Sequence, residues 1–524
     1  MGLFDIFKRA KVAPVSTIKN SSIPGATIKV RSGGEYGYGG GLNLSSILGQ
    51  GMSQGAQTGR LESSWTVTPT TVDAQIYQEW NTLVARSQKA YKDFDHFRKF
   101  TGMVVDNVAG PVGFTLNANI KDPSGSVDEL ASEAIKHAYG IFSSKGNFDV
   151  TGQLTRTKLE RLAMATWSQT GEFIVMAKRS PKYLHGIAWQ VIDPVRLDPL
   201  KYQKLSNGNH IRHGIEMDED GRPVAYYFKD YDEQEYGYIV SYLGQSYTRV
   251  PAENVIHWFM PEVANQKRGL PPAAAALWRM RMLSGFEDAA ITNARIGAAK
   301  MGFFKDPDSA DDEEDIQIDA EPGMFENIGN RELQQWSPQF PDQSIEPFMK
   351  ALLRSIASSL RVSYHNLSND LTSVNFSSIR QGALDEREAW KGIQTSFVDD
   401  VVKPMFEMWL ETALLNQKIL INGKPLKWER LEKYKAVKFS GRRWAWIDPS
   451  AEQTANERAV AQGFKSRSEV IRETSTREPE HVWDEIAAEN NALKARGVVP
   501  LIPSGSVPPM QAQPDSASLQ KIEE

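Results

Sequence analysis

The chain has 524 residues, a formal charge of −5, 40% apolar and 10% aromatic residues, and no cysteine. Such a composition supports packed cores, and an acidic balance argues against a surface built to grip nucleic acid. Without cysteine, disulfides, thiolate zinc sites, iron–sulfur clusters and thiol catalysis are excluded.

The opening MGLFDIFKRAK does not read as a secretory signal, because Asp5, Lys8 and Arg9 interrupt any apolar stretch. Ile6 breaks the myristoylation pattern, and no run of about 18 apolar residues marks a membrane span. Residues 1–72 read as a flexible arm, rich in Gly, Ser, Thr and Gln from residue 12 onward. The stretch AQIYQEWNTLVARSQKAYKDFDHFRKFTGMVVDNVAG then gives two helices, with Trp80, Leu83, Tyr91, Phe94, Phe97 and Phe100 on recurring faces. KLERLAMATWSQTGEFIVMAKRS passes from helix into strand, and the period stays mostly two as far as His257. An Asp-Gly turn inside HIRHGIEMDEDGRPVAYYFKD predicts a hairpin. Residues 73–270 therefore read as one mixed α/β domain.

Pro271 and Pro272 suit a helix start, and residues 271–302 read as a rod of roughly 45 Å. Ala290, Ala294 and Gly297 give its later turns little side-chain bulk. An acidic, loop-rich insert follows at 303–341, carrying Asp311, Asp312, Glu313, Glu314 and Asp315. Residues 342–365 read as a second helix and 366–377 as a polar loop with Asn366, Ser368, Asn369, Asp370, Thr372 and Asn375. A longer helix runs from Ser378, which forms a capping box with Gln381, to about Leu415, with a kink expected at Pro404. Strands then lead back toward the α/β domain within 378–449. Residues 450–497 read as a helical unit after Asp448-Pro449, and 498–524 as a Pro/Ser-rich disordered tail.

Catalytic signals are weak. There is no phosphate-cradling GxxxxGK[ST] loop, and Gly49, Gly51 and Gly55 miss the dinucleotide pattern by one residue. His210 and His213, three apart on a predicted strand, point to opposite faces and read as ordinary sheet residues. The acidic run at 311–315 lacks the alternation and glycine of a calcium loop, and reads as a solvated or partner-facing surface. Gly171-Glu172 reads as a turn glycine with a hydrogen-bonded carboxylate. Neither cofactor nor metal is implied.

The order of these elements resembles the portal (head–tail connector) proteins of tailed phages, in particular the lambda-like family. The resemblance spans about Trp80 to Gly497. It is carried by VVDNVAGPVG (104–113), TGEFIV (170–175), GIEMDEDGRPVAYYF (214–228), VPAENVIHWF (250–259) and RGLPP (268–272). FMKALLRSIASSLRVSYHNLSNDLTSVNFSSIRQGALDE and WAWIDPSAEQTANERAVAQGFKSRSEVIRE complete it. The glycine turn Gly110-Pro111-Val112-Gly113 departs from the tighter turn of the pattern, and the N-terminal arm lies outside the resemblance.

The resemblance implies an α+β subunit of a ring, most often of twelve copies, at one vertex of the virion. The α/β domain would be a wing in which Trp444 and Trp446 anchor the last strand, the two rods a stem, the insert a clip, 366–377 a tunnel loop and 450–497 a crown. Stem packing would use Ala290, Ala294 and Gly297. The clip acids would dock the terminase large subunit and then a head–tail adaptor. Major capsid and scaffold proteins would be further partners. Double-stranded DNA would pass through the channel with weak, non-specific contact, during packaging and ejection. Assembly in the host cytoplasm, no membrane and no enzymatic activity go with that reading. The alternatives are a metal-dependent nuclease or other DNA-packaging enzyme, against which the missing motifs weigh, and a nucleic-acid-binding scaffold, against which the charge weighs.

Overall fold

The computed structural model describes residues 69–122, 125–230, 246–298, 302–305, 332–335, 345–372, 376–444, 449–475, 477 and 479–498. The chain divides into Met1–Pro69 and Thr70–Glu524, and the described elements belong to the second unit.

Helix α1 (Val72–Asp93) starts where the Thr71 hydroxyl accepts from the Ala74 amide, which satisfies one of the free amides of the first turn. Helix α2 (Asp95–Val104) follows. The predicted apolar face is real: Trp80, Phe94, Phe97 and Phe100 are buried, and Leu83 and Tyr91 half-buried. A π-helical turn, Val105–Ala109, ends at Gly110 with φ 71°. Strand β1 (Thr115–Asn117) and helix α3 (Glu129–Phe142) lead to helix α4 (Arg156–Thr170), which stops on Gly171 at φ 86°. The predicted switch from helix to strand occurs there, as β2 (Glu172–Arg179) begins.

Strand β2 is the middle of an antiparallel sheet, between β3 (Ile187–Ile192) and β9 (Val255–Phe259). The strands between form a separate five-stranded antiparallel meander: β4 (Gln203–Lys204), β5 (His210–Arg212), β6 (Ile215–Met217), β7 (Pro223–Lys229) and β8 (Tyr247–Pro251). The predicted Asp-Gly hairpin is β6–β7. The expectation of both histidines on one strand fails at His213. It occupies the β5–β6 turn at φ 53°, fully buried, with its ring Nδ1 donating to the Pro199 carbonyl and its Nε2 against the Tyr202 hydroxyl at 2.7 Å.

Helix α5 (Leu277–Ala298) spans 22 residues, or about 33 Å. It is shorter than the predicted rod, because the chain after Pro271-Pro272 makes turns at Ala274 and Ala276 before the helix begins. Strand β10 (Gly302–Lys305) pairs antiparallel with β11 (Glu332–Gln335), so a two-stranded ribbon lies within the segment read as loop. Helix α6 (Ile345–Ser359) packs on α5 and is followed by the short helix α7 (Tyr364–Ser368).

Helix α8 (Phe376–Phe397) begins two residues before the predicted cap. Ser378 therefore sits inside the first turn, and Gln381 donates to Asp385 at 2.8 Å instead of closing a capping box. The break expected at Pro404 appears as a π-helical turn, Val398–Val402, before α9 (Lys403–Leu415). Proline cannot donate to the carbonyl four residues back, and the wider turn absorbs that missing bond.

The returning strands do not join the main sheets. Strands β12 (Leu420–Ile421) and β13 (Lys424–Pro425) pair with each other, and β14 (Lys438–Ser440), after helix α10 (Leu431–Tyr434), pairs with β1. Helices α11 (Pro449–Ala461), α12 (Arg467–Thr474) and α13 (Pro479–Ala495) complete the described chain.

One continuous core joins distant parts of the sequence. The Phe397 ring lies 5.6 Å from Phe114 and 5.0 Å from Trp258, and Trp409 lies 4.8 Å from Tyr139. Helices α8 and α9 thus form part of the same core as the N-terminal helices and the three-stranded sheet.

Candidate functional site

Two of the sequence marks meet in space. Gly171 and Glu172 of TGEFIV stand against Arg268, Gly269 and Leu270 of RGLPP. A Cβ on Gly171 would lie 2.1 Å from the Leu270 carbonyl carbon, and one on Gly269 would lie 2.0 Å from the Gly171 oxygen. Glycine at both positions allows the two backbones to touch. Glu172 and Arg268 are both fully buried. The Arg268 Nε is 2.9 Å from Glu172 Oε2, His257 Nε2 is 3.1 Å from the same oxygen, and the Gly269 amide donates to it at 3.0 Å. Burial pushes the Glu172 carboxyl up, but the Arg268 guanidinium and the His257 contact outweigh it and hold the group at about 2.

Arg268 also donates to the Leu197 carbonyl at 2.7 Å, and its guanidinium carbon lies 4.3 Å from the Trp80 ring centre. The Trp80 indole donates to the Gly269 carbonyl at 2.9 Å. Both carboxylate oxygens of Glu172 and all three guanidinium nitrogens of Arg268 have partners inside the chain. It ties α1, both sheets and the entry to α5 together, so the carboxylate serves as a structural lock.

The glycine turn at 110–113 has a similar cause. A Cβ on Gly113 would meet Glu160 Oε2 at 2.1 Å. That oxygen accepts from the Phe114 amide at 3.0 Å, and Arg156 pairs with the other carboxylate oxygen at 2.6 Å. Burial raises the Glu160 carboxyl despite Arg156. Glu160 itself carries no sequence signal.

The segment after α6 is polar but not slack. Asn366 and Ser368 lie on α7, and Asn369 caps that helix in the left-handed region at φ 57°. Asp370 accepts from the Tyr364 hydroxyl at 2.8 Å and the Thr372 amide at 3.0 Å, with Lys350 at 3.4 Å. Hydrogen bonds from Thr372 first, and then from Tyr364, hold its carboxyl well below the usual range. The Asn366 amide donates to Glu386 Oε2 at 3.0 Å, and Lys99 donates to Asn369. The buried Glu386 also accepts from the Ser363 amide at 3.1 Å and the Trp390 indole at 3.2 Å. Sequence reading finds the polar loop but misses Glu386 and Lys99, which lie on long helices and fix the loop from outside it.

Helix α5 has two unlike sides. Ala290 and Ala294 are half-buried and share a side with the fully buried Leu283, seven and eleven residues earlier. The Phe286 ring meets Phe348 of α6 at 5.1 Å. On the opposite side, Trp278 is 69% exposed and Met282 48% exposed, followed at helical spacing by exposed Gly285 and Ala289.

Trp444 donates to Asn107 at 3.0 Å and packs on the core. The side-chain surroundings of Gly297, the acids 311–315, Asn375, Trp446 and residues 1–68 and 499–524 lie outside the described residues. Among the described residues no group of three or more His, Asp or Glu could hold a metal ion, and no helix is long and apolar enough to cross a membrane.

The family model "Phage portal protein, lambda family" matches residues 58–394, well over half of the chain. A probable portal protein of Halomonas phage phiHAP-1 is 29% identical over 466 residues, covering 84% of this chain and 87% of that relative. Portal protein B of Escherichia phage lambda is 23% identical over 312 residues, covering 53% of this chain and 57% of its own length. Among solved structures, the virion of a native gene transfer agent particle gives a TM-score of 0.40 at 12% identity, covering 79% of this chain and 98% of that one. The neck of the native particle, computed with C12 symmetry, gives 0.40 at 12% identity over 75% and 94%.

Proposed function

Since the chain belongs to the lambda family of phage portal proteins, we propose that it assembles into a closed ring, of twelve copies, at one capsid vertex. The family match over residues 58–394 carries this reading. The exposed side of α5 supports it, because Trp278 and Met282 stand on successive turns with much of their apolar surface exposed. Exposed apolar side chains at helical spacing are the mark of a partner surface.

In the ring, 73–270 serves as the wing, 271–302 and 342–365 as the stem, 303–341 as the clip, and 450–497 as the crown. Residues 366–377 line the channel through Asn366, Ser368, Asn369, Asp370, Thr372 and Asn375. The role of the subunit is structural. DNA enters during packaging and leaves during ejection, with the terminase large subunit docking first at Asp311–Asp315 and a head–tail adaptor afterwards. The acidic balance of the chain keeps the channel from holding DNA, since each neutralised phosphate adds salt-sensitive affinity.

Native mass spectrometry and negative-stain imaging of the full chain test this. Closed rings with a central hole are expected. A species no larger than a dimer at micromolar concentration would overturn it.

A further inference from the structure

The fold draws cations from three separated segments into one cleft. Arg387 and Lys391 lie one turn apart on α8, Arg443 follows β14, and Lys465 lies between α11 and α12. All four line a cavity of about 390 Å³ together with Leu384, Trp444 and three carboxylates. Those carboxylates are already engaged. Glu388 is 2.5 Å from Lys391, Glu473 is 2.8 Å from Lys465, and Glu452 is 3.5 Å from Arg380, two turns before Arg387 on α8.

Two guanidinium groups are left over. Among the described residues neither Arg387 nor Arg443 takes part in an ion pair or side-chain hydrogen bond, and the Arg443 Nε is buried with no partner at all. A buried, unmatched donor of this kind is rare and calls for an explanation. Burial works against the charge on Arg387 and outweighs the pull of Glu452 and Glu386, while the nearby Arg442 adds repulsion.

We propose that this cleft binds a phosphate group, gripped by the guanidiniums of Arg387 and Arg443. A guanidinium fork matches a pair of phosphate oxygens bidentately. Each carboxylate lining the cleft stands at ion-pair distance from another cation, and none makes an ion pair with Arg387 or Arg443 among the described residues, which leaves room for an anion from outside. The group has two possible sources, free phosphate and one phosphodiester of double-stranded DNA. A second cleft shares Arg387 and Trp444 with the first and is lined by His365, Asn366, Asn369 and Leu371. The DNA source therefore rests on the ring reading, which places 366–377 on the channel. Binding of free phosphate does not.

The test uses the full chain, with inorganic phosphate titrated calorimetrically against an acetate control of equal ionic strength. A labelled duplex is followed by anisotropy across a salt series. The variants are Arg387→Gln with Arg443→Gln, and Arg387→Lys with Arg443→Lys, which keeps the charge if the first fails to fold. Phosphate should bind the native chain and not the acetate control's site, with at least a tenfold loss in the glutamine pair and a smaller loss in the lysine pair. If DNA is the source, the glutamine pair also lowers the slope of log K against log salt by about 0.9 for each cleft that engages a phosphate. If only the phosphate isotherm changes, the source is free phosphate. No phosphate binding by the native chain, or equal binding by the glutamine pair, overturns the site. Images of the same samples keep the two readings apart, because absence of rings would sink the ring and leave the isotherm standing.

Discussion

Replacing Glu172 by Gln removes one charge from the buried junction while keeping its shape. Arg268 is then left with no exposed surface and no counter-charge. Besides the amide oxygen of the new side chain and the Trp80 ring at 4.3 Å, its remaining partners are neutral: the Leu197 carbonyl at 2.7 Å and weaker contacts to the Pro194 carbonyl at 3.3 Å and the His213 carbonyl at 3.4 Å. Breaking a buried pair on one side costs about 3–5 kcal/mol. The titration of the carboxylate gives an independent figure. A carboxyl held at about 2 rather than its ordinary 4.5 favours the folded state, by about 3 kcal/mol at neutral pH. Because the folded value is depressed, this stability is present in full above the ordinary value. It is lost as pH falls from 4.5 toward about 2. Urea unfolding followed by circular dichroism should therefore show the variant about 3 kcal/mol weaker at pH 7, with the gap narrowing by about 1.4 kcal/mol at pH 3.5. A variant within about 1 kcal/mol of the native chain, with an unchanged pH profile, would refute the claim that the pair locks the junction.

Trp278→Glu with Met282→Glu should leave the subunit folded, since both side chains are exposed, yet sharply reduce rings in sedimentation; normal ring yield would remove this side of α5 from the interface. Gly269→Ala should destabilise by more than about 1 kcal/mol, because its Cβ meets backbone at 2.0 Å and backbone cannot swing aside. Thermal unfolding reads the loss, and a neutral result would mean that the two segments do not touch. Glu386→Ala should cost about 2–3 kcal/mol, since it strands the Ser363 amide and the Trp390 indole. Limited proteolysis should then cut faster between 363 and 372, and an unaltered digestion rate there would count against Glu386 as the anchor of the segment.

The helices, the switch to strand at Gly171 and the β6–β7 hairpin are legible because each is set by local signals. Apolar period, a left-handed glycine and an Asp-Gly turn all act within a few residues. What stays hidden is pairing over long separations. Glu172 reads as a hydrogen-bonded turn residue, which it is, but its cation lies 96 residues away. Nothing in the spacing of GIEMDEDG betrays that His213 occupies a buried turn. The π-helical turn before Pro404 follows from the missing amide, yet whether a chain kinks or widens there depends on what packs around it. The basic cleft is invisible for the same reason: its four cations come from positions 387 to 465 and stand among acids in the sequence.

The last helices set the final step of the argument. Helices α11 and α12 contain no buried residue, and α13 contains only Pro479. Phe464, between the first two, is 79% exposed, and Trp483 and Ile486 on α13 are 44% and 39% exposed. Helix α12 has eight residues, fewer than the about 12–15 an isolated helix needs in water. Within the chain the unit is held by surface contacts, such as the hydrogen bond between Lys136 and His481 at 2.8 Å and the ion pair of Arg380 with Glu452 at 3.5 Å, and surface ion pairs contribute about 0–1 kcal/mol each. Such ties position the helices without supplying a core. If copies of the subunit stand side by side, these aromatic and aliphatic faces acquire the cover that one chain does not provide. On this account the order of 450–497 depends on assembly, and hydrogen exchange there should slow markedly when subunits join into rings. Equal protection in monomers and rings would show that the unit is stable on its own and would break the link between its exposed faces and the neighbouring copy.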